Sequence, residues 1–147
     1  AWAKVEVVVA DERELAGATG RISLNLGHTV AHAIEAVDGY ASLMHGEAVA
    51  YGLRAATRVG AAIGVTPPAR AGRIERTLDG LSLGVDALPY PPEAVVAATG
   101  TDKKRASGRL RWVLPTADGY VTRDDIPEAP IREVVAGVLA GRAGGGA

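Results

Sequence analysis

All three histidines of this 147-residue chain lie in one short stretch. His28 and His32 are four residues apart, so in a helix they share one face and lie one turn from each other. Asp38 and Gly39 then form a helix-stop and turn signal, and His45 opens a second helical pattern. The sequence predicts two helices joined by a tight turn that brings His45 back toward His28. Two imidazoles from separate helices can bind one divalent metal if a third ligand comes from elsewhere.

The composition favours closely packed helices over a sheet sandwich. Hydrophobic residues make up 48% of the chain and include no Phe, and the abundant small side chains suit close helix packing. A formal net charge of -1 argues against a general nucleic-acid or membrane-surface binder. The absence of cysteine excludes disulfides and thiolate zinc sites. No apolar run reaches the roughly 18 residues that span a bilayer and no signal peptide is visible, so we expect a cytoplasmic protein.

The apolar periodicity predicts five or six helices and one β-hairpin. The clearest helical segments are 21–37, 45–63, 68–78, 92–98 and 130–139. An apolar alternation over 110–114, a turn signal and the segment 120–122 predict the hairpin. The segment 2–9 fits a short strand or a helix start equally well. The expected fold class is mainly α: a helical, bundle-like domain with a small hairpin over residues 1–142, followed by a disordered tail over 143–147.

Two groups of charged residues are candidates for anion binding. Lys103 and Lys104 lie beside Arg105 between a short predicted helix and a strand, where they form either a solvated loop or a site for phosphate or carboxylate. Arg21 precedes Asn25 by four residues, so it lies toward the same helix end and could grip a carboxylate. The chain contains no Gly-rich dinucleotide fingerprint, P-loop or nucleophile elbow, so no nucleotide pocket is evident in it.

Several motifs occur in the order found in 3-dehydroquinate synthase, which this chain resembles from about Lys4 to the last helix. They cover positions 24–29, 32–35, 39–40, 45–49, 102–104 and 110–115. The family enzyme has an N-terminal nucleotide-binding α/β domain and a C-terminal, mainly helical metal-binding domain. The resemblance is to the C-terminal domain only, which implies that the N-terminal NAD-binding domain is absent from this chain.

The resemblance also implies an activity. Enzymes of this family convert 3-deoxy-D-arabino-heptulosonate 7-phosphate into 3-dehydroquinate and phosphate in the shikimate pathway of aromatic amino acid biosynthesis. They are carbon–oxygen lyases that use NAD as a recycled oxidant and a zinc or cobalt ion. The expected partners are the sugar phosphate substrate and an NAD-binding domain or chain, without nucleic acid or membrane, and a homodimer is compatible with the family. Without that domain we expect no turnover.

Individual roles follow from the same resemblance. His28 and His45 would be metal ligands, and the third ligand would be a glutamate of the absent domain. His32 would lie by the substrate as a proton-transfer or hydrogen-bonding group. The phosphate and carboxylate of the substrate would be bound by four further positions: Lys4, Arg21, Asn25 and one of Lys103 or Lys104.

The chain departs from the family pattern in two places. Ala31 replaces a residue that is usually Gly, and the segment between Glu14 and Arg21 is longer than usual and lacks the familiar Gly-Leu-Arg.

Three other functions stay open. They are another sugar-phosphate cyclase, a metal-dependent polyol or glycerol-phosphate dehydrogenase, and a detached domain without catalysis. The dehydrogenases share the histidine pattern but lack the Asp-Lys-Lys and Leu-Arg-Trp-Val-Leu-Pro motifs.

Overall fold

The computed structural model describes the backbone of residues 25–105 and 111–144, and the side chains of 25–100 and 111–142. Lys4, Arg21 and the segment 2–9 therefore lie outside the described residues. The described part contains five helices and one two-stranded sheet, which confirms the mainly α fold with a small hairpin. In chain order the elements are α1 (His28–Asp38), α2 (His45–Ala62), α3 (Pro68–Gly80), α4 (Pro92–Arg105), β1 (Trp112–Pro115), β2 (Tyr120–Arg123) and α5 (Glu128–Gly144).

The two histidine-bearing helices follow each other through a tight turn, as the sequence predicts. Gly39 ends α1 in the left-handed region with φ 69°, and its N–H donates to the carbonyl of Ala36 at 3.2 Å. Within the described residues α1 begins at His28, so residues 25–27 of the helical region predicted over 21–37 do not belong to the helix. Gly27, with φ 81°, is also left-handed, and this conformation interrupts helical geometry just before the first histidine.

Helix α2 lies at the centre of the fold and contacts α1, α3, α5 and β1. Small residues on several of its faces, such as Ala48, Ala55 and Ala56, are fully buried, so the neighbouring helices approach its backbone closely. The largest buried side chains of the core come from helices α1, α2, α4 and α5 and from strand β1. They are Val30, Ile34, Val59, Val95, Trp112, Leu114, Val135 and Val138.

Helices α4 and α5 extend several residues beyond the segments that the sequence pattern predicts. Helix α4 continues to Arg105, whereas the prediction ends it at residue 98 and puts Lys103 and Lys104 in a loop. The apolar pattern misses these last turns because Gly100 is a typical helix-stop residue and the residues after it are mostly polar. Helix α5 runs to Gly144 across a kink at Gly141, two residues into the predicted tail. Residues 145–147 lie outside the described part.

The hairpin closes one side of the core. Strands β1 and β2 pair antiparallel with Trp112 opposite Arg123 and Pro115 opposite Tyr120. All four residues of β1 are buried, whereas β2 faces outward, so the short sheet presents one strand to the helices. No helix in the described part is long and apolar enough to cross a membrane.

Candidate functional site: a cluster of three histidines

The three imidazoles meet at one place on the surface of the α1–α2 pair. The ring centre of His28 lies 5.5 Å from that of His32 and 5.4 Å from that of His45. The rings of His32 and His45 are stacked, with their centres 6.3 Å apart. His32 and His45 are exposed and His28 is partly buried. The tight turn therefore brings together the two helices' histidines, as the spacing predicts.

His28 is the most enclosed of the three imidazoles. Burial lowers its pKa below the ordinary value, the nearby His32 and His45 lower it further, and a hydrogen bond to the Leu26 carbonyl opposes the shift. Its Nδ1 atom lies 3.3 Å from that carbonyl oxygen. A carbonyl only accepts hydrogen bonds, so Nδ1 carries the proton and Nε2 has a free lone pair. A neutral imidazole in this form is ready to bind a metal.

His45 is held by a carboxylate of the other helix. Its Nδ1 atom lies 2.6 Å from Oε1 of Glu35, whose side chain is buried while the imidazole is mostly exposed. The sequence places Glu35 near the histidine face of α1 but indicates no role for it. The signal that could have found it is spacing: Glu35 follows His28 by seven residues, close to two full turns.

The structure describes some of the remaining predicted site residues. Asn25 is exposed and lies just before the start of α1. The backbone of Lys103 and Lys104 lies in the last turns of α4, the helix that packs against α1. Their side chains, and all of Lys4 and Arg21, lie outside the described residues. The roles of these positions toward a substrate stay predictions.

The histidine cluster is an open surface site and differs from the pockets of the fold. A cavity of about 350 Å³ lies between α4, α5 and the hairpin, lined by Trp112, Thr99 and Ile126 among others, and none of the three histidines lines it. Within the described residues, no group of three or more His, Asp or Glu side chains has an arrangement that could hold a metal ion.

The sequence model of the family described as 3-dehydroquinate synthase C-terminal matches residues 1–105. The chain belongs to this family. The matched range includes all three histidines, α1 to α4 and both lysines of the Asp-Lys-Lys motif, so the histidine cluster lies within the family's own domain.

Curated relatives named 3-dehydroquinate synthase agree with this membership. The protein of Synechococcus sp. is 39% identical over 141 residues, which cover 90% of this chain and 36% of the relative. The protein of Opitutus terrae is 44% identical over 126 residues, covering 84% of this chain and 35% of the relative. The chain thus spans little more than a third of the length of the curated relatives it matches.

A solved structure shares the fold. The 2-epi-5-epi-valiolone synthase from Streptomyces hygroscopicus subsp. jinggangensis, solved with NAD⁺ and Zn²⁺ bound, superposes with a TM-score of 0.69. The match covers 78% of this chain and 32% of that protein at 23% sequence identity. At 23% identity this similarity shows that the two proteins share a fold, and nothing more.

The imidazole nitrogens of the histidine cluster fit a zinc ion in type and spacing. Zinc binds imidazole nitrogen at about 2.0–2.1 Å in tetrahedral geometry, which puts two bound rings roughly 5 Å apart, centre to centre. The pairs His28–His45 and His28–His32 are both close to this spacing. His28 and His45 additionally have their Nδ1 atoms engaged, by a carbonyl and a carboxylate, which leaves Nε2 for an ion.

Proposed function

We propose that this chain is the metal- and substrate-binding part of a 3-dehydroquinate synthase. The complete activity would convert 3-deoxy-D-arabino-heptulosonate 7-phosphate into 3-dehydroquinate and phosphate in the shikimate pathway, which we assign to the cytoplasm. NAD would be bound mainly by an N-terminal domain, either part of a longer chain or separate, and a homodimer is compatible with this assignment.

One observation supports the proposal above all: in a member of this family, the fold gathers three imidazoles from two helices at one surface. His28 and His45 would hold the metal, and a carboxylate of the N-terminal domain would complete its ligand set. When bound, the zinc or cobalt ion would polarise the hydroxyl group that is oxidised.

The other residues of the chain would bind and orient the substrate. His32 is exposed beside the two ligands, so its imidazole could donate to or accept from a substrate hydroxyl. Lys4, Arg21, Asn25 and one of Lys103 or Lys104 would hold the phosphate and carboxylate. Cationic groups at fixed positions orient a doubly anionic substrate and so reduce the entropy cost of reaching the reactive geometry.

Relatives at 39% and 44% identity carry the name 3-dehydroquinate synthase, which favours this substrate over the alternatives. The structural neighbour is a different cyclase, but its 23% identity supports only the fold. A substrate comparison is therefore part of the test.

The test is reconstitution. The 147-residue chain is mixed with the N-terminal domain of the Synechococcus relative, NAD⁺, Zn²⁺ and the heptulosonate phosphate, and phosphate release is measured. We expect turnover by the mixture and none by the chain alone, since the hydride acceptor would be bound by the other domain. His45→Ala should abolish turnover by removing a metal ligand.

A seven-carbon ketose phosphate that lacks the carboxylate serves as the second substrate. Preference for this compound would contradict the assignment and favour another sugar-phosphate cyclase. Phosphate release by the lone chain would contradict the requirement for the N-terminal domain. Failure of every mixture that contains correctly folded domains would favour a non-catalytic role.

A further inference from the structure

We propose that Glu35 is a positioning residue for His45, which sets the tautomer and orientation of this imidazole so that Nε2 faces the metal. The inference deepens the proposed function and rests on the metal site assigned there. It adds a residue of α1 that would act through its hydrogen bond to His45 on α2.

The geometry of the pair runs from the interior of the fold to its surface. Glu35 is 6% exposed, although it carries an ionisable carboxyl group. The side chain of His45 is 58% exposed, and its Nδ1 atom lies 2.6 Å from Oε1 of Glu35. The surrounding core thus holds the side chain of Glu35 in place, and Glu35 in turn holds the exposed imidazole of His45.

The chemistry of the contact determines which nitrogen carries the proton. An ionised carboxylate only accepts hydrogen bonds, so Nδ1 of His45 donates to Glu35 and Nε2 keeps its lone pair. Free histidine favours the opposite tautomer, with the proton on Nε2, so the contact selects the form whose Nε2 lone pair can bind a metal. A carboxylate partner on the far nitrogen also raises the basicity of a metal-ligating imidazole.

His28 reaches the same state by a different route. The Leu26 carbonyl, an acceptor, lies 3.3 Å from Nδ1 of His28, which again leaves Nε2 free. Two unrelated acceptors, one on the backbone and one on a side chain, therefore prepare the two expected ligands in the same tautomer. This agreement is expected if both nitrogens bind one ion.

The turn between α1 and α2 already has its own hydrogen bonds, so it does not need the Glu35 carboxylate to stabilise it. The Asp38 carboxylate accepts backbone N–H groups from Ala41, Ser42 and Leu43 at 2.9–3.1 Å, which fixes the connection between α1 and α2. The carbonyl of Glu35 itself accepts from Tyr40 N–H at 3.0 Å. The side chain of Glu35 is thus available for the imidazole.

The first test needs no metal. Long-range ¹H–¹⁵N spectra of the wild-type chain at about pH 8, where imidazoles are ordinarily neutral, report the tautomer of each histidine. We expect His45 to carry its proton on Nδ1. A proton on Nε2 of His45 in the folded wild type would overturn the inference, whether or not the chain binds zinc.

The second test compares three variants. Glu35→Ala should return His45 to the Nε2–H form and weaken zinc binding by about 10- to 100-fold, the usual effect of losing an outer partner of a ligand. Glu35→Gln keeps an acceptor oxygen, so it should preserve the tautomer and lose less affinity. Tyr90→Phe is the matched control, because it removes a hydrogen bond to α1 at Asp38 away from the histidines.

Calorimetry with zinc and circular dichroism are run on all four proteins. Equal affinities for Glu35→Ala and Tyr90→Phe, with both folded, would overturn the positioning role. If Glu35→Ala does not fold, the tautomer of His45 in the wild type still tests the inference, and Glu35→Gln still reports the change in zinc affinity. Absence of zinc binding by the wild type would contradict the metal site of the proposed function, and the Glu35 inference would then be judged on the tautomer.

Discussion

The carbonyl of Gly27 packs directly on the backbone of Gly52, so closely that a Cβ atom added at Gly52 would lie 1.8 Å from this oxygen. Gly27 immediately precedes His28, and Gly52 lies within α2. From the other side, a Cβ at Gly27 would lie 2.7 Å from the backbone nitrogen of Leu53. The two histidine-bearing helices therefore meet backbone to backbone, and glycine at both positions makes this approach possible.

We predict that Gly52→Ala destabilises the fold by about 1–3 kcal/mol, because the new methyl group meets a backbone oxygen that cannot rotate away. Urea unfolding followed by circular dichroism measures the change. The matched control is Gly100→Ala in α4, where a Cβ would meet no atom of the described residues within 4 Å. That variant should be stabilised by up to about 1 kcal/mol, since Ala is the better helix former. Equal stability of wild type and Gly52→Ala would contradict the close packing.

Arg54 is a buried cation that anchors an ionic cluster. Its guanidinium bonds Glu75, Asp79 at 2.8 Å and the Leu83 carbonyl at 2.7 Å, while only 5% of its side chain is exposed. We expect Arg54→Ala to cost about 1–3 kcal/mol of unfolding free energy, because the Leu83 carbonyl loses its donor and the carboxylates of Glu75 and Asp79 each lose a hydrogen-bonded cation.

The comparison for Arg54 is Arg132→Ala, which breaks an exposed pair with Glu128 whose side chains are 62% and 66% exposed. This substitution should change the unfolding free energy by no more than about 1 kcal/mol. Thermal or urea unfolding of both variants gives the difference. A loss at Arg54 as small as that at Arg132 would show that the cluster adds little to stability.

Asp38 gives the fold a pH dependence in acid. Hydrogen bonds to the Asp38 carboxylate hold its pKa well below the ordinary value. The hydroxyls of Ser42 and Tyr90 contribute most, and the backbone N–H groups of Ser42 and Leu43 contribute less. A lowered pKa in the folded state stabilises the protein above the unfolded-state pKa of about 3.9, and this stabilisation is lost as the pH falls toward the folded-state pKa.

We therefore predict that the urea midpoint of Asp38→Asn lies below that of the wild type at neutral pH and approaches it as the pH falls below about 4. Unfolding curves between neutral and acidic pH measure the gap. Asp118→Asn, which removes an exposed carboxylate from the hairpin turn, corrects for the loss of one charge. A gap that stays constant over this range would mean that ionisation of Asp38 is not its source.

Zinc titration of single histidine variants separates the ligands from their neighbour. We expect weak zinc binding by the isolated chain, because two imidazoles leave the coordination sphere incomplete. His28→Ala and His45→Ala should abolish it, and His32→Ala should retain most of it. Ring distances alone favour neither pair, since His28 is 5.5 Å from His32 and 5.4 Å from His45. A loss in His32→Ala as large as in His45→Ala would make His32 a ligand instead.

Local patterns were sufficient to predict the turn at Gly39, the pairing of β1 with β2 and the histidine-bearing face. Helix periodicity, turn chemistry and the four-residue spacing of His28 and His32 depend on residues that are near each other in the chain. The same patterns placed the start of α1 too early and ended α4 too soon. Gly27 and Gly100 are the same residue type, but packing makes one a helix boundary and leaves the other inside a helix.

The sequence by itself determined that α1 and α2 form, that a turn joins them and that three imidazoles occur along them. Only the tertiary structure decided that Glu35 faces His45, that Gly27 meets Gly52 and that Arg54 pairs with Glu75 and Asp79. A helix depends on contacts three or four residues away, which periodicity records. These pairs instead depend on the angle and rotation at which neighbouring helices pack, which are set by the side chains of the whole core.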